Sequence, residues 1–177
     1  MTDTYDASTD VIDRIAGLTP GSAAHATRHK RAKVAAATQR SYDVLFDPAL
    51  PDLPLADRLC VALYACTLSK APALAAHYAQ QLAAIGAARA VIDQIAQGAT
   101  SDAAFEPPRL RAMLTFTRTL IEAPIEGDKA ALERLRDAGI ATPAVVVLAQ
   151  LIAFLSYQIR LTAGLQALQA LNETEAA

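Results

Sequence analysis

The sequence predicts an all-α protein, and three observations carry that reading. Of 177 residues 53% are hydrophobic and only 5% aromatic, with no Trp, so the core has to come from Ala, Leu, Val and Ile. Those residues let helix axes approach closely, and Ala and Leu also favour helix intrinsically. Apolar residues recur at helical spacing from Leu55 almost to the C-terminal end, and no stretch keeps the strict alternation of a half-buried strand. The length suits one domain over residues 1–177 that buries a core without disulfide or metal staples. Residues 1–7 and 172–177 are expected to be frayed tails.

The elements follow in order. "STDVIDRIAGL" is a short helix that Ser8, Thr9 or Asp10 can cap, with Val11, Ile12 and Ile15 as its apolar positions. "TPGS", Thr19 to Ser22, breaks it. A longer helix is expected from about Ala23 to Leu45, basic in its first half and ending in Tyr42, Val44 and Leu45. The three prolines of "FDPALPDLPLAD" make an extended crossing loop. Leu55, Leu59, Leu63 and Cys66 then form one helical stripe. Pro72 disfavours helix at Ala71 and opens a new one, which carries Leu74, His77, Tyr78, Leu82 and Ile85 and stops at Gly86. A short helix ends at Gly98, and "TSDAAFEPP" is a second loop. A helix over "RLRAMLTFTRTLIEAP" follows, then one capped by Asp128 and stopped by Gly139. Thr142 caps and Pro143 opens a long apolar helix to about Leu171. Helix, short helix and Gly stop recur in the two halves, an approximate internal repeat.

Charge narrows the function classes. A net charge of −2 offers no general attraction to nucleic acid or anionic membranes. The basic run Arg28 to Lys33 reads as a solvated helix stripe. Two cysteines and a polar, acidic start without an apolar leader point to a reducing cytoplasm. Ile140 to Ile159 is uncharged over the length of a membrane span. Pro143, Gln150, Ser156, Tyr157 and Gln158 dilute it, however, so a helix buried nearly all round, inside a bundle or at a subunit interface, is expected instead.

Three groups of residues are chemical candidates. His77 sits toward an apolar helix face, where burial lowers its pKa and leaves either a neutral base or a packed core histidine. Cys60 and Cys66 lie six residues apart on one helix, a rise of about 9 Å and a rotation of about 120°. A disulfide needs Cα atoms within about 7 Å, so buried structural thiols are expected. His25 and His29 have the i, i+4 spacing of a metal pair, but Arg28, Lys30 and Arg31 surround them and no carboxylate stands beside them in sequence, so no metal is expected. Phosphate-loop, dinucleotide and serine-elbow motifs are absent from the sequence, and no cofactor is expected.

"ADRLCVALYACTLSKAPALAAHYAQQLAAIG", with "LRAMLTFTRTLIEAP" and "LERLRDAGIATPAVVVLAQLIAFLSYQIRLTAGL", resembles the alkylhydroperoxidase D (AhpD) and carboxymuconolactone decarboxylase superfamily over nearly the whole chain. The resemblance implies an AhpD-like helical bundle that forms a homo-oligomer, dimer- or trimer-based. That family places a CxxC at the start of a helix, with a histidine four residues after the second cysteine. Here the cysteine positions fall on Lys70 and Ala73, the family glutamate falls at or next to Arg58 with Asp57 the nearest acid, and only His77 matches. No redox cysteine pair is therefore expected. The decarboxylase branch does not depend on the pair. It implies His77 with Asp57 as catalytic groups and Arg58 or Lys70 as holders of a substrate carboxylate.

Three function classes stay open: a non-redox, lyase-type enzyme or small-molecule binder centred on His77, a peroxidase-related antioxidant protein using Cys60 or Cys66, and a helical oligomer without catalysis. Neither nucleic acid nor membrane is an expected partner.

Overall fold

The structure is a computed structural model that describes residues 6–98 and 107–175. Those residues hold nine α-helices: α1 Val11–Ala16, α2 Ala23–His29, α3 Ala32–Leu45, α4 Leu55–Leu68, α5 Pro72–Ala84, α6 Arg89–Ala96, α7 Pro108–Glu122, α8 Lys129–Asp137 and α9 Thr142–Glu175, with two 3-10 turns at Ala7–Thr9 and Pro124–Glu126. Most of the expected punctuation operates. The Asp10 carboxylate accepts from the amides of Ile12 and Asp13 at the start of α1, and Asp128 accepts from Ala131 at α8, satisfying amide groups that a helix start leaves unpaired. Pro72 is the first residue of α5. Gly86 follows the end of that helix at φ +81°, a backbone conformation that costs a side-chain-bearing residue more.

The centre of the bundle is α4, in which every residue from Arg58 to Cys66 is buried. A helix with no charge from Leu59 to Leu68 can be surrounded, and α5, α6, α7 and α9 all pack around it. α9 lays Ala144, Leu148, Leu151, Leu155, Gln158, Thr162 and Leu165 on the core side, a stripe at three- and four-residue spacing. A smaller cluster of Val11, Ile12, Ala16, Leu18 and Ala24 seats α1 and α2 against Leu165 of the same helix.

One expectation is corrected. The helix expected over Ala23 to Leu45 is two helices, because Arg31 leaves the helical region at φ −110°, ψ 57°. No Gly or Pro marks this break, which comes directly after Arg28 and His29, both tied to α1. α9 continues to Glu175, past the Leu171 expected from the sequence. Within the single chain α9 is not buried all round, since 33% of its most apolar window is covered and Val146 and Tyr157 are exposed, so of the two expected settings the bundle interior alone does not cover it. It is long and apolar enough to cross a membrane, yet its buried stripe packs into the same core as α4. Most of the loop expected at "TSDAAFEPP" and residues 1–5 of the N-terminal tail lie outside the described residues.

Candidate functional site

His77 is brought to α3 by the turn at Lys70, which sits at φ +53° and lets α5 fold back beside α4. The Nε2 atom of His77 is 2.8 Å from the Tyr42 hydroxyl near the end of α3. Tyr42, Phe46 and Tyr78 crowd around the ring: His77 meets Tyr78 edge-on at 5.0 Å and Tyr42 at 5.8 Å, and Phe46 stands 4.9 Å and 5.1 Å from Tyr42 and Tyr78. Only 8% of His77 is exposed. Burial, with the positive charge of Arg14 on α1 adding to it, pushes its pKa down to about 4. The imidazole is therefore neutral near pH 7. Burial also raises the Tyr42 phenol, against the opposing pull of Arg14. A neutral imidazole and an un-ionised phenol share one proton donor between them in either direction, so both ring tautomers are available. Among the described residues, Tyr42 is the hydrogen-bond partner of His77, and it engages Nε2.

Behind this pair the Tyr78 hydroxyl donates to Gln158 Oε1 of α9 at 2.5 Å. The Gln158 Nε2 and Thr162 Oγ1 atoms, one turn apart on α9, are buried without a hydrogen-bond partner. Two unmet polar groups on one buried stripe are costly and mark where the α9 packing is least settled.

The other expected site residues lie in separate settings. The Arg58 side chain is fully buried and donates to the carbonyls of Leu45, Asp47 and Leu53. Its guanidinium ties down the Pro-rich crossing loop, which leaves it no face toward a substrate carboxylate. Burial lowers its pKa, and the three carbonyls supply the hydrogen bonds that a buried guanidinium requires. Asp57 pairs with Arg109 of α7 at 3.4 Å, and Arg109 also donates to Gly139. Lys70 is exposed and lines an open cleft of about 460 Å³ with Cys66, Thr67, Pro72, Ala75 and Ala96. At about 100° per residue, His77 points roughly 140–160° away from Pro72 and Ala75, so that cleft and His77 lie on opposite sides of α5. The cation whose charge reaches both His77 and Tyr42 is Arg14, a residue with no motif to mark it.

The thiols have no activating surroundings. Cys60 and Cys66 are free, buried and on one continuous helix. Burial, with the Asp57 charge adding to it, pushes the Cys60 thiol up to about 12, and burial raises Cys66 as well. A nucleophilic thiolate needs the reverse, an electropositive and partly exposed position.

A second constellation appears where no carboxylate was expected. The turn after α1 folds α2 back so that Asp13 faces both histidines. His29 Nε2 is 2.6 Å and His25 Nε2 3.7 Å from Asp13 Oδ2, and the two rings lie 4.3 Å apart. Arg28 Nη1 is 2.9 Å from Asp13 Oδ1, within ion-pair range but not aligned as a hydrogen bond, while Nη2 donates to Asp10. Asp13 lies 12 and 16 positions before the histidines, a separation that no helical spacing rule spans.

No family model and no curated protein matches the chain. Solved structures do. A peroxidase-related protein with an alkylhydroperoxidase AhpD core from Ralstonia eutropha JMP134 superposes with a TM-score of 0.67 at 22% identity, over 79% of this chain and 72% of that one. A peroxidase-related protein from Silicibacter sp. TM1040 superposes with a TM-score of 0.65 at 18% identity, over 76% and 69%. The chain has the all-α, AhpD-like fold.

Proposed function

We propose that this AhpD-fold protein works without thiol redox chemistry, as a small-molecule-binding, lyase-type enzyme whose proton-transfer group is His77. The observation that carries the reading is the hydrogen bond between His77 and Tyr42, held in a buried setting that keeps the imidazole neutral. In one tautomer Nε2–H donates to Tyr42 and Nδ1 takes up a proton from solvent. The Tyr42 oxygen then stabilises the imidazolium, which gives that proton to the substrate. We assign to Arg14, exposed on α1 and close enough for its charge to act on His77, the holding of an anionic group of the substrate. For a carboxylated lactone, the carbon–carbon bond to the carboxylate breaks, carbon dioxide leaves, the electron pair delocalises into the lactone carbonyl system, and the His77 imidazolium, charged beforehand by a proton from solvent, protonates the carbon and returns to the neutral form.

The peroxidase reading has less support here, because neither cysteine is activated. The uncovered apolar face of α9, with Val146 and Tyr157, and the exposed Val34 and Val44 of α3 support a soluble homo-oligomer that covers them. Carbon dioxide release from carboxymuconolactone tests the lyase reading. Turnover by the wild type that is lost in His77→Phe and weakened in Arg14→Ala supports it. Turnover unchanged in His77→Phe contradicts it.

A further inference from the structure

We propose that Asp13, His25 and His29 form a binding site for a divalent first-row transition metal of the zinc type. The three donors come from two short helices. His25 and His29 stand one turn apart on α2, so both Nε2 atoms project from one face. Asp13 meets them from α1, and all three ligand atoms lie within 4.8 Å of one another. In a tetrahedral site with bonds of about 2.0–2.1 Å, neighbouring donors sit about 3.4 Å apart. His25 is 3.7 Å from the carboxylate oxygen and is nearly in place, whereas His29, at 2.6 Å, is hydrogen-bonded to it and has to draw back by just under ~1 Å. That is a small side-chain rotation, not a rearrangement of either helix.

Charge and exposure bear on this assignment. Asp13 and Asp10 supply two carboxylates against the one guanidinium of Arg28 that contacts them. Arg28 Nη1 lies 2.9 Å from Asp13 Oδ1 and 3.4 Å from His29 Nε2, so an entering ion has to displace the guanidinium from His29 while its Nη2 stays on Asp10. The Asp13 side chain is 8% exposed, while those of His25 and His29 are 19% and 16% exposed. Ions can enter from the histidine side, the more exposed one. Two nitrogens and one carboxylate oxygen favour zinc, cobalt or iron over calcium or magnesium, which prefer all-oxygen sites. A bound ion would join α1 to α2, helices of six and seven residues that are too short to be stable alone.

The test uses the full-length chain, stripped with a chelator and titrated with Zn2+ by calorimetry and with Co2+ by visible absorption. The expected result is one saturable equivalent, cobalt bands of tetrahedral intensity, and a melting temperature raised by about 5–10 °C at a hundredfold excess over Kd. His25→Ala and Asp13→Asn should each weaken binding by at least about tenfold, while His77→Phe leaves it unchanged. His25 has the looser contact with Asp13, so His25→Ala decides the matter if Asp13→Asn fails to fold. Absence of saturable binding by the wild type, or equal binding by a folded His25→Ala protein, overturns the proposal.

Discussion

Protonation of His77 should destabilise the protein in a pH window that its surroundings set. The groups acting on the ring are the Tyr42 hydroxyl, the edge of Tyr78 and the charge of Arg14, none of which welcomes an imidazolium except the phenol oxygen. The folded-state pKa is about 4 against 6.5 for the unfolded chain. Above pH 6.5 both states are neutral at this residue, so no penalty arises. As pH falls from 6.5 toward 4 the unfolded chain binds the proton and the folded one does not, so stability is lost over that interval and the loss levels off below it. A shift of this size corresponds to roughly 3 kcal/mol, and residual water at the ring reduces that to about 2–3 kcal/mol. Urea unfolding of the wild type and His77→Phe, compared between about pH 7 and pH 4, isolates the contribution because other titrations cancel in the difference. NMR of the His77 ring protons reads the midpoint directly. A midpoint above about 6, or a wild-type-minus-variant difference that stays flat across the window, refutes the reasoning.

Other changes have equally definite outcomes. Arg58→Met leaves three loop carbonyls without their donor and should cost about 3–5 kcal/mol in urea unfolding; Arg58→Lys should not restore it, since one ammonium cannot reach carbonyls spread over a planar fork. A loss below about 1 kcal/mol would show the loop to be held otherwise. Tyr78→Phe removes the donor to Gln158 Oε1 and should cost about 1–3 kcal/mol by the same measurement. Val44→Glu with Val146→Glu charges the exposed faces of α3 and α9. Light scattering should show an oligomeric wild type and a folded, smaller variant, and a monomeric wild type contradicts the proposed assembly.

Local signals made most of the fold legible. Asp10, Pro72, Gly86, Asp128 and Gly139 each act within a few residues, so the sequence shows where those helices begin or end. The break between α2 and α3 has no such marker, because contacts to α1 accompany it. His77 could be named from its helix face and its lowered pKa anticipated from burial. Its partner could not be named: Tyr42 lies 35 positions away and reads locally as one more apolar residue closing α3. Arg58 illustrates the opposite difficulty. A cation at the start of an apolar helix suits a carboxylate in sequence, and only packing reveals that backbone carbonyls engage each of its three nitrogens. Asp13 was hidden for the same reason as Tyr42, since the turn that brings it to His25 and His29 sets distance in space and not along the chain.

The central claim is that chemistry in this protein runs through His77 and not through a thiol. It is tested most directly by incubating the wild type, His77→Phe and the double variant Cys60→Ala/Cys66→Ala with hydrogen peroxide and, separately, with carboxymuconolactone, following peroxide loss, intact mass and carbon dioxide. The expected result is no thiol oxidation of the folded protein, lactone turnover that survives removal of both cysteines, and loss of that turnover in His77→Phe. Peroxide consumption by the wild type that disappears in Cys60→Ala/Cys66→Ala would contradict it.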